Sequence, residues 1–123
     1  MKTKLLIPFL SVLIIATFSC KTSDDIFCTD IFVYGLSITV KDANTDAVIT
    51  ENITIKATDG DYEETLMSIE SSNAFVGAGE RAGTYILTIN ATNYKDYITE
   101  PIKVSADECH VIPEAIEIML QPN

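Results

Sequence analysis

Apolar and polar residues alternate with a period of two along most of the chain beyond residue 32, and turn-forming residues separate the alternating segments. The clearest segments are residues 36–41, 53–58 and 83–89. A period of two places successive side chains on opposite faces of a strand, so that one face can be buried. Because no segment keeps a helical period over three turns, the pattern predicts an all-β domain.

Seven short strands are predicted, at residues 36–41, 53–58, 62–69, 75–76, 83–89, 97–104 and 110–120. Their spacing of roughly 8 to 12 residues favours an antiparallel sandwich. Pro101 interrupts the sixth strand and indicates a sheet edge or a bulge, since proline has no N–H to donate. The glycine-rich residues 77–83 are predicted to form an irregular loop.

The first 20 residues follow a different pattern. Lys2 and Lys4 precede an apolar run at residues 5–18, which ends at Ser19 and Cys20. This run is shorter than the ~20 apolar residues that span a bilayer. It resembles the signal of bacterial lipoproteins, in which the segment before the cysteine is removed and the cysteine is acylated. An ordinary secretory signal that is cut nearby, leaving a thiol at Cys20, is the alternative.

The lipoprotein resemblance implies an organisation in three parts. Residues 1–19 are the signal peptide, residues 20–31 are the lipidated N-terminus and tether, and residues 32–121 form the β-sandwich domain. The polar residues 21–25 resemble the export signal that carries some lipoproteins to the outer face of the membrane, although a solvated linker has the same composition. We expect attachment to the bacterial outer membrane through Cys20, facing the periplasm or the cell surface.

The charge of the chain narrows the classes of partner. The net charge is −10, and removal of Lys2 and Lys4 with the signal brings it to −12. Such a surface repels nucleic-acid phosphates and anionic headgroups, so we expect no nucleic-acid binding. The acyl chains on Cys20 then supply the attachment to the bilayer.

Three cysteines are present, and acylation of Cys20 leaves Cys28 and Cys109 with one possible pairing. An exported domain of this size favours a disulfide. A reactive or metal-binding thiol is the alternative. It has little support, because no second Cys or His lies at ligand spacing around Cys28, and Cys109 with His110 offers two ligands at most.

Residues 83–89, read as Gly-Thr-Tyr-Ile-Leu-Thr-Ile, are followed by Asn93 and Tyr94 and then by a closing strand. This stretch resembles the "G-x-Y-x-L-x-V … G-Y" pattern of carboxypeptidase-regulatory-like domains, and the similarity extends over residues 33–121. The resemblance implies a seven-stranded, transthyretin-like (prealbumin-like) Greek-key sandwich. It also implies a non-catalytic accessory module.

The inventory of chemical groups offers little for catalysis. His110 is the one histidine, and the chain has no Gly-x-Ser-x-Gly, HExxH or Cys-x-x-Cys motif. We therefore expect no enzyme activity and no cofactor. The weak metal candidates are carboxylates at alternate positions that could hold calcium, although the EF-hand spacing is absent and a solvated hairpin end looks the same. They are Asp59, Asp61, Glu63 and Glu64.

The sequence thus predicts a membrane-anchored, non-catalytic lipoprotein whose β-domain is a binding or structural accessory for an unknown protein or glycan. A carbohydrate-binding or calcium-assisted adhesion domain is the alternative. The chain is poorly equipped for sugars, because it has no Trp, and Tyr62 and Tyr97 are the tyrosines expected outside the core.

Overall fold

The computed structural model describes residues 25–123, which form two β-sheets and contain no helix. The predicted signal peptide and Cys20 lie outside the described residues. In residues 25–123, no helix is long and apolar enough to cross a membrane. The strands are β1 (Tyr34–Asp42), β2 (Ile53–Asp59), β3 (Tyr62–Thr65), β4 (Met67–Ile69), β5 (Ala74–Gly79), β6 (Gly83–Ala91), β7 (Tyr97–Ile98), β8 (Ile102–Val104) and β9 (Glu114–Leu120).

The first sheet has the strand order β4-β5-β1-β9, and the second has the order β3-β2-β6-β7, with β8 also paired to β6. Strand β1 is antiparallel to β5 but parallel to β9. The prediction of a purely antiparallel sandwich is therefore wrong. A parallel pair needs a long crossover connection, and the chain between β1 and β9 supplies it by passing through the second sheet.

The core lies where the alternation places it. Leu36, Ile38 and Val40 of β1 are fully buried, and so are the apolar side chains on one face of β6. They belong to one apolar cluster that draws residues from both sheets. The all-β prediction is confirmed, and the two sheets share a single core. The fully buried residues of β6 are Tyr85, Leu87 and Ile89.

The predicted third strand is divided at Leu66, where the chain passes from one sheet to the other. Thr65 pairs with Lys56 of β2, whereas Met67 pairs with Val76 of β5. The Leu66 amide still donates to the Ile55 carbonyl, at 2.9 Å. This change of sheet explains why strict alternation fails in residues 62–69.

The predicted sixth strand is also divided, at Pro101, and both of its pieces pair with β6 at the edge of the second sheet. Between them, the Thr99 amide donates to the Leu87 carbonyl at 3.0 Å, and the Thr99 hydroxyl accepts from the Leu87 amide at 3.0 Å. A side chain thus replaces a backbone carbonyl in the ladder. Division of two predicted strands gives nine strands in the described residues where seven were expected.

The glycine-rich segment is not an irregular loop, because Gly77, Ala78 and Gly79 lie in β5. A Cβ at Gly77 would come within 3.0 Å of the Leu66 side chain, and a Cβ at Gly79 would meet the Phe32 ring. Glycine here makes room for neighbouring side chains that lie across the strand. Composition alone does not distinguish this use of glycine from a loop.

Candidate functional site at the start of the domain

The predicted disulfide is present. Cys28 and Cys109 are bonded, with their Cα atoms 5.2 Å apart and 81 positions apart in sequence. The bond ties the segment before β1 to the loop before β9. Residues 25–33 form no regular strand or helix, so their position on the domain depends on links of this kind.

Glu80 provides a second link to the same segment. Its amide donates to the Val33 carbonyl at 2.9 Å, and its Oε1 accepts from the Val33 amide at 2.8 Å. Glu80 lies in the turn between β5 and β6 with φ of 48°, a left-handed conformation that few residues other than glycine adopt. Both backbone polar groups of Val33 are therefore satisfied by one residue.

His110 connects Glu80 to the segment before β1. Its Nδ1 lies 2.7 Å from Glu80 Oε1, and its Nε2 lies 3.0 Å from the Thr29 carbonyl oxygen. Both partners are acceptors, so the ring makes both bonds only as an imidazolium, which donates from each nitrogen. The hydrogen bond to Glu80 is the largest cause that raises the pKa of His110, and the Glu80 charge adds to it.

The pKa of Glu80 lies below its ordinary value. Partial desolvation is the largest single influence and acts in the opposite direction, but hydrogen bonds from the Val33 amide, His110 and the Val111 amide together outweigh it. Asp107 positions the histidine, because its Oδ1 accepts from the amides of Cys109 and His110 at 2.8 and 2.9 Å. These two bonds lower the pKa of Asp107.

Four large apolar side chains on the same segment face solvent. Phe27 is 94% exposed, and the other three are 60 to 63% exposed. The Phe32 ring also packs edge-on against Tyr34, with the ring centroids 5.1 Å apart. We call this set the apolar patch. Its members are Ile26, Phe27, Ile31 and Phe32.

The candidate calcium ligands are not brought together. Asp59 pairs with Arg81 at 3.0 Å and Glu63 with Lys56 at 3.5 Å. Glu64 accepts a hydrogen bond from the Ala78 amide, and Asp61 is exposed in the turn. Glu63 and Glu64 are adjacent on one strand and so project from opposite faces. Among residues 25–123, no three His, Cys, Asp or Glu side chains are grouped so that they could hold a metal ion.

Arg81 explains the position of Tyr62. Its guanidinium lies 3.7 Å from the centre of the Tyr62 ring and donates to the Tyr85 hydroxyl at 2.9 Å. Tyr62 is consequently half-buried, whereas Tyr97 is 43% exposed. The two residues lie on β3 and β7, at opposite ends of the second sheet, so their rings do not form a shared platform of the kind that binds sugars.

A polar depression of about 270 Å³ lies away from the disulfide, lined by Thr50, Glu51, Ser68, Glu70 and Asn73. These side chains include the carboxylates of Glu51 and Glu70.

Comparison with known proteins adds no relative: no family model matches the chain, and no curated protein matches it.

The disulfide could be predicted from the sequence, but Glu80 and the apolar patch could not. Glu80 lies in a segment whose composition suggested a loop, and its partners are 30 and 47 positions away. One signal for the apolar patch was present. Ile-Phe occurs on each side of Cys28, at residues 26–27 and 31–32, and each pair directly follows an aspartate.

The hydrogen-bonded pair of His110 and Glu80 makes the stability of the domain depend on pH. Because its pKa is raised in the folded protein, His110 contributes its full stabilisation when the pH is below 6.5, its ordinary pKa. This contribution is lost as the pH rises through the raised pKa. Because its pKa is lowered in the folded protein, Glu80 contributes its full stabilisation when the pH is above 4.5, its ordinary pKa. This contribution is lost as the pH falls through the lowered pKa. We therefore expect the pair of Glu80 and His110 to stabilise the domain most between pH 4.5 and pH 6.5.

NMR titration of the ring measures this directly, because the chain has one histidine. The pKa of His110 is expected above 6.5 in the native protein and closer to that value in the Glu80→Gln variant. His110→Gln should flatten the decline in melting temperature on the alkaline side. A native His110 pKa at or below 6.5 would contradict the ion pair.

Proposed function

We propose that this chain is a bacterial lipoprotein, anchored in the outer membrane by acylated Cys20, whose β-domain is a non-catalytic binding or structural accessory. We further propose that the domain is a transthyretin-like Greek-key sandwich related to carboxypeptidase-regulatory-like domains. The two-sheet, all-β architecture supports that relationship. The buried positions of Tyr85 and Leu87 in β6, which carry the resemblance, support it as well.

The disulfide is the main observation that supports the lipoprotein proposal. The chain has three cysteines, and the bond joins Cys28 to Cys109. Neither of these residues can pair with Cys20, which is left for acylation at the end of the signal-like segment. A disulfide also favours an oxidising compartment outside the cytoplasm, which is where lipoproteins function.

A partner protein has an accessible edge at which to bind. Strand β9 is the longest strand at the end of a sheet, with seven residues. One side of it pairs with β1, and the other side presents backbone groups that an added strand could pair with. Its outward side chains include Glu117, which holds Lys41 at 3.0 Å. This edge supports a protein partner more directly than the separated tyrosines support a glycan.

The test is the intact mass of the protein purified from the membrane of its own host. We expect a chain that begins at Cys20, carries three acyl groups and weighs two hydrogens less than its reduced form. The Cys20→Ala variant should lose the acyl groups and move to the soluble fraction. Because Cys20 lies outside the disulfide, this variant should keep the Cys28–Cys109 bond and the fold.

An unmodified mass with cleavage at another position would overturn the lipid anchor. The protein would then be a secreted β-domain with a thiol at Cys20 or with that residue removed. Retention of the Cys20→Ala variant in the membrane would equally contradict attachment through acyl chains.

A further inference from the structure

We propose that the apolar patch of Ile26, Phe27, Ile31 and Phe32 contacts a zwitterionic lipid surface and seats the β-domain directly on the bilayer. The choice of bilayer rests on the proposed function, because acylated Cys20 would hold the patch beside the membrane. The patch itself is a feature of the described residues and can be tested separately.

Covalent and polar links attach the segment that carries the patch to the domain. Cys28 is bonded to Cys109, the Thr29 carbonyl lies 3.0 Å from His110, and Val33 is hydrogen-bonded to Glu80. These links fix the backbone on both sides of Ile31 while its apolar neighbours remain in water. Exposure of large apolar side chains is unfavourable, and a group of them marks an interaction surface more often than isolated examples do.

Elsewhere in residues 25–123, exposed apolar residues do not form a group of four on one short segment. Met67 and Ile98, 56% and 67% exposed, lie on β4 and β7 in different sheets. Scattered apolar residues of this kind are normal on protein surfaces. Ile98 therefore serves as a control, because its size and exposure are similar to those of Ile26 and Ile31 in the apolar patch.

The length of the tether places the patch near the membrane. Ile26 follows Cys20 by six positions, so even an extended chain separates them by only about 20 Å. An acylated Cys20 thus converts the contact between patch and lipid into an intramolecular event at high effective concentration. Weak insertion of two or three side chains would suffice under these conditions.

The surrounding charges select the type of lipid. Asp25 and Asp30 are exposed within the same segment, directly before Ile26 and Ile31. Carboxylates so close to the patch would be repelled by anionic headgroups. Phenylalanine and isoleucine side chains gain from burial at the boundary between headgroups and acyl chains whatever the headgroup charge. A zwitterionic surface satisfies both conditions.

Phe27→Trp provides the experiment, because the chain contains no other Trp. The full-length protein is produced in its host, its mass is measured, and it is reconstituted into phosphatidylcholine vesicles with brominated acyl chains. We expect a blue-shifted emission that loses at least about half its intensity, since interfacial side chains lie ~5–10 Å into the boundary region. Ile98→Trp, prepared in the same way, should emit as a solvent-exposed Trp and remain unquenched.

The outcomes separate the two proposals. If the Phe27→Trp protein is acylated and its tryptophan emission is not quenched, the seating on lipid is overturned and the anchor is left intact. If Cys20 is unmodified, the proposal of a lipid anchor is wrong, and the same vesicles are added to the soluble protein. Quenching of its tryptophan emission would then support contact between the patch and lipid, and no quenching would overturn it. A blue shift that precedes lipid addition and depends on protein concentration would assign the patch to a second copy and overturn lipid contact.

Discussion

Replacing Cys28 and Cys109 together by serine is expected to lower the free energy of unfolding by about 4 kcal/mol. The bond closes a loop of 81 positions, and a crosslink over so long a loop removes much conformational entropy from the unfolded chain. The loss is large against the total stability of ~5–15 kcal/mol that is typical of small domains. Urea unfolding of the double variant and of its parent measures the difference.

A Cys20→Ala background is suitable for both proteins, because it removes acylation and leaves Cys28 and Cys109 as the cysteines in the chain. Reductant should lower the urea midpoint of the parent toward that of the double variant and leave the double variant unchanged. Equal midpoints in the two proteins without reductant would contradict a stabilising disulfide. A second readout is the amide exchange of Val33, which should quicken when the segment retains only its hydrogen bonds to Glu80 and His110.

The strands that could be predicted from the sequence are those whose two faces have different surroundings. In β6, the buried Leu87 alternates with the exposed Ile86, and the predicted start of this strand at Gly83 agrees with the structure. In such a strand, local pattern and tertiary position coincide. The pattern therefore contains the information needed to place the strand.

The remaining strands depend on partners distant in sequence. The chain changes sheets at Leu66, and only the pairing of Met67 with Val76 makes this visible. Gly77 and Gly79 belong to a strand because they pair with β1. Glycine is needed there because the Leu66 and Phe32 side chains lie where a Cβ would be. The parallel pairing of β1 with β9 joins the two ends of the domain, and no local pattern records it.

The residues of the candidate site likewise differ in whether the sequence alone predicts their contacts. The Cys28–Cys109 bond could be predicted by counting cysteines once Cys20 was taken as the acylation site, since that leaves a single pair. The function of Glu80 arises from a turn that directs its carboxylate toward Val33 and His110, which are remote in sequence. A carboxylate of this kind looks like an ordinary surface residue until the fold brings its partners to it.

Leu87→Ala is expected to lower the free energy of unfolding by about 2–5 kcal/mol, and Ile86→Ala by less than about 1 kcal/mol. The two residues are neighbours on β6, but Leu87 is fully buried and Ile86 is 39% exposed. Removing the Leu87 side chain leaves a cavity in the shared core, whereas Ile86 lies on the outer face opposite Thr58. Urea unfolding of each variant against the same parent measures both values.

This pair of variants tests the register on which the rest of the fold depends. A shift of one residue in β6 would exchange the faces of the strand and bury Ile86 in place of Leu87. Ile86→Ala would then be the more damaging change, and the pairing of Leu87 with Ala57 and with Thr99 would be wrong. Similar losses in both variants would mean that both faces of β6 are buried, which the 39% exposure of Ile86 among residues 25–123 contradicts.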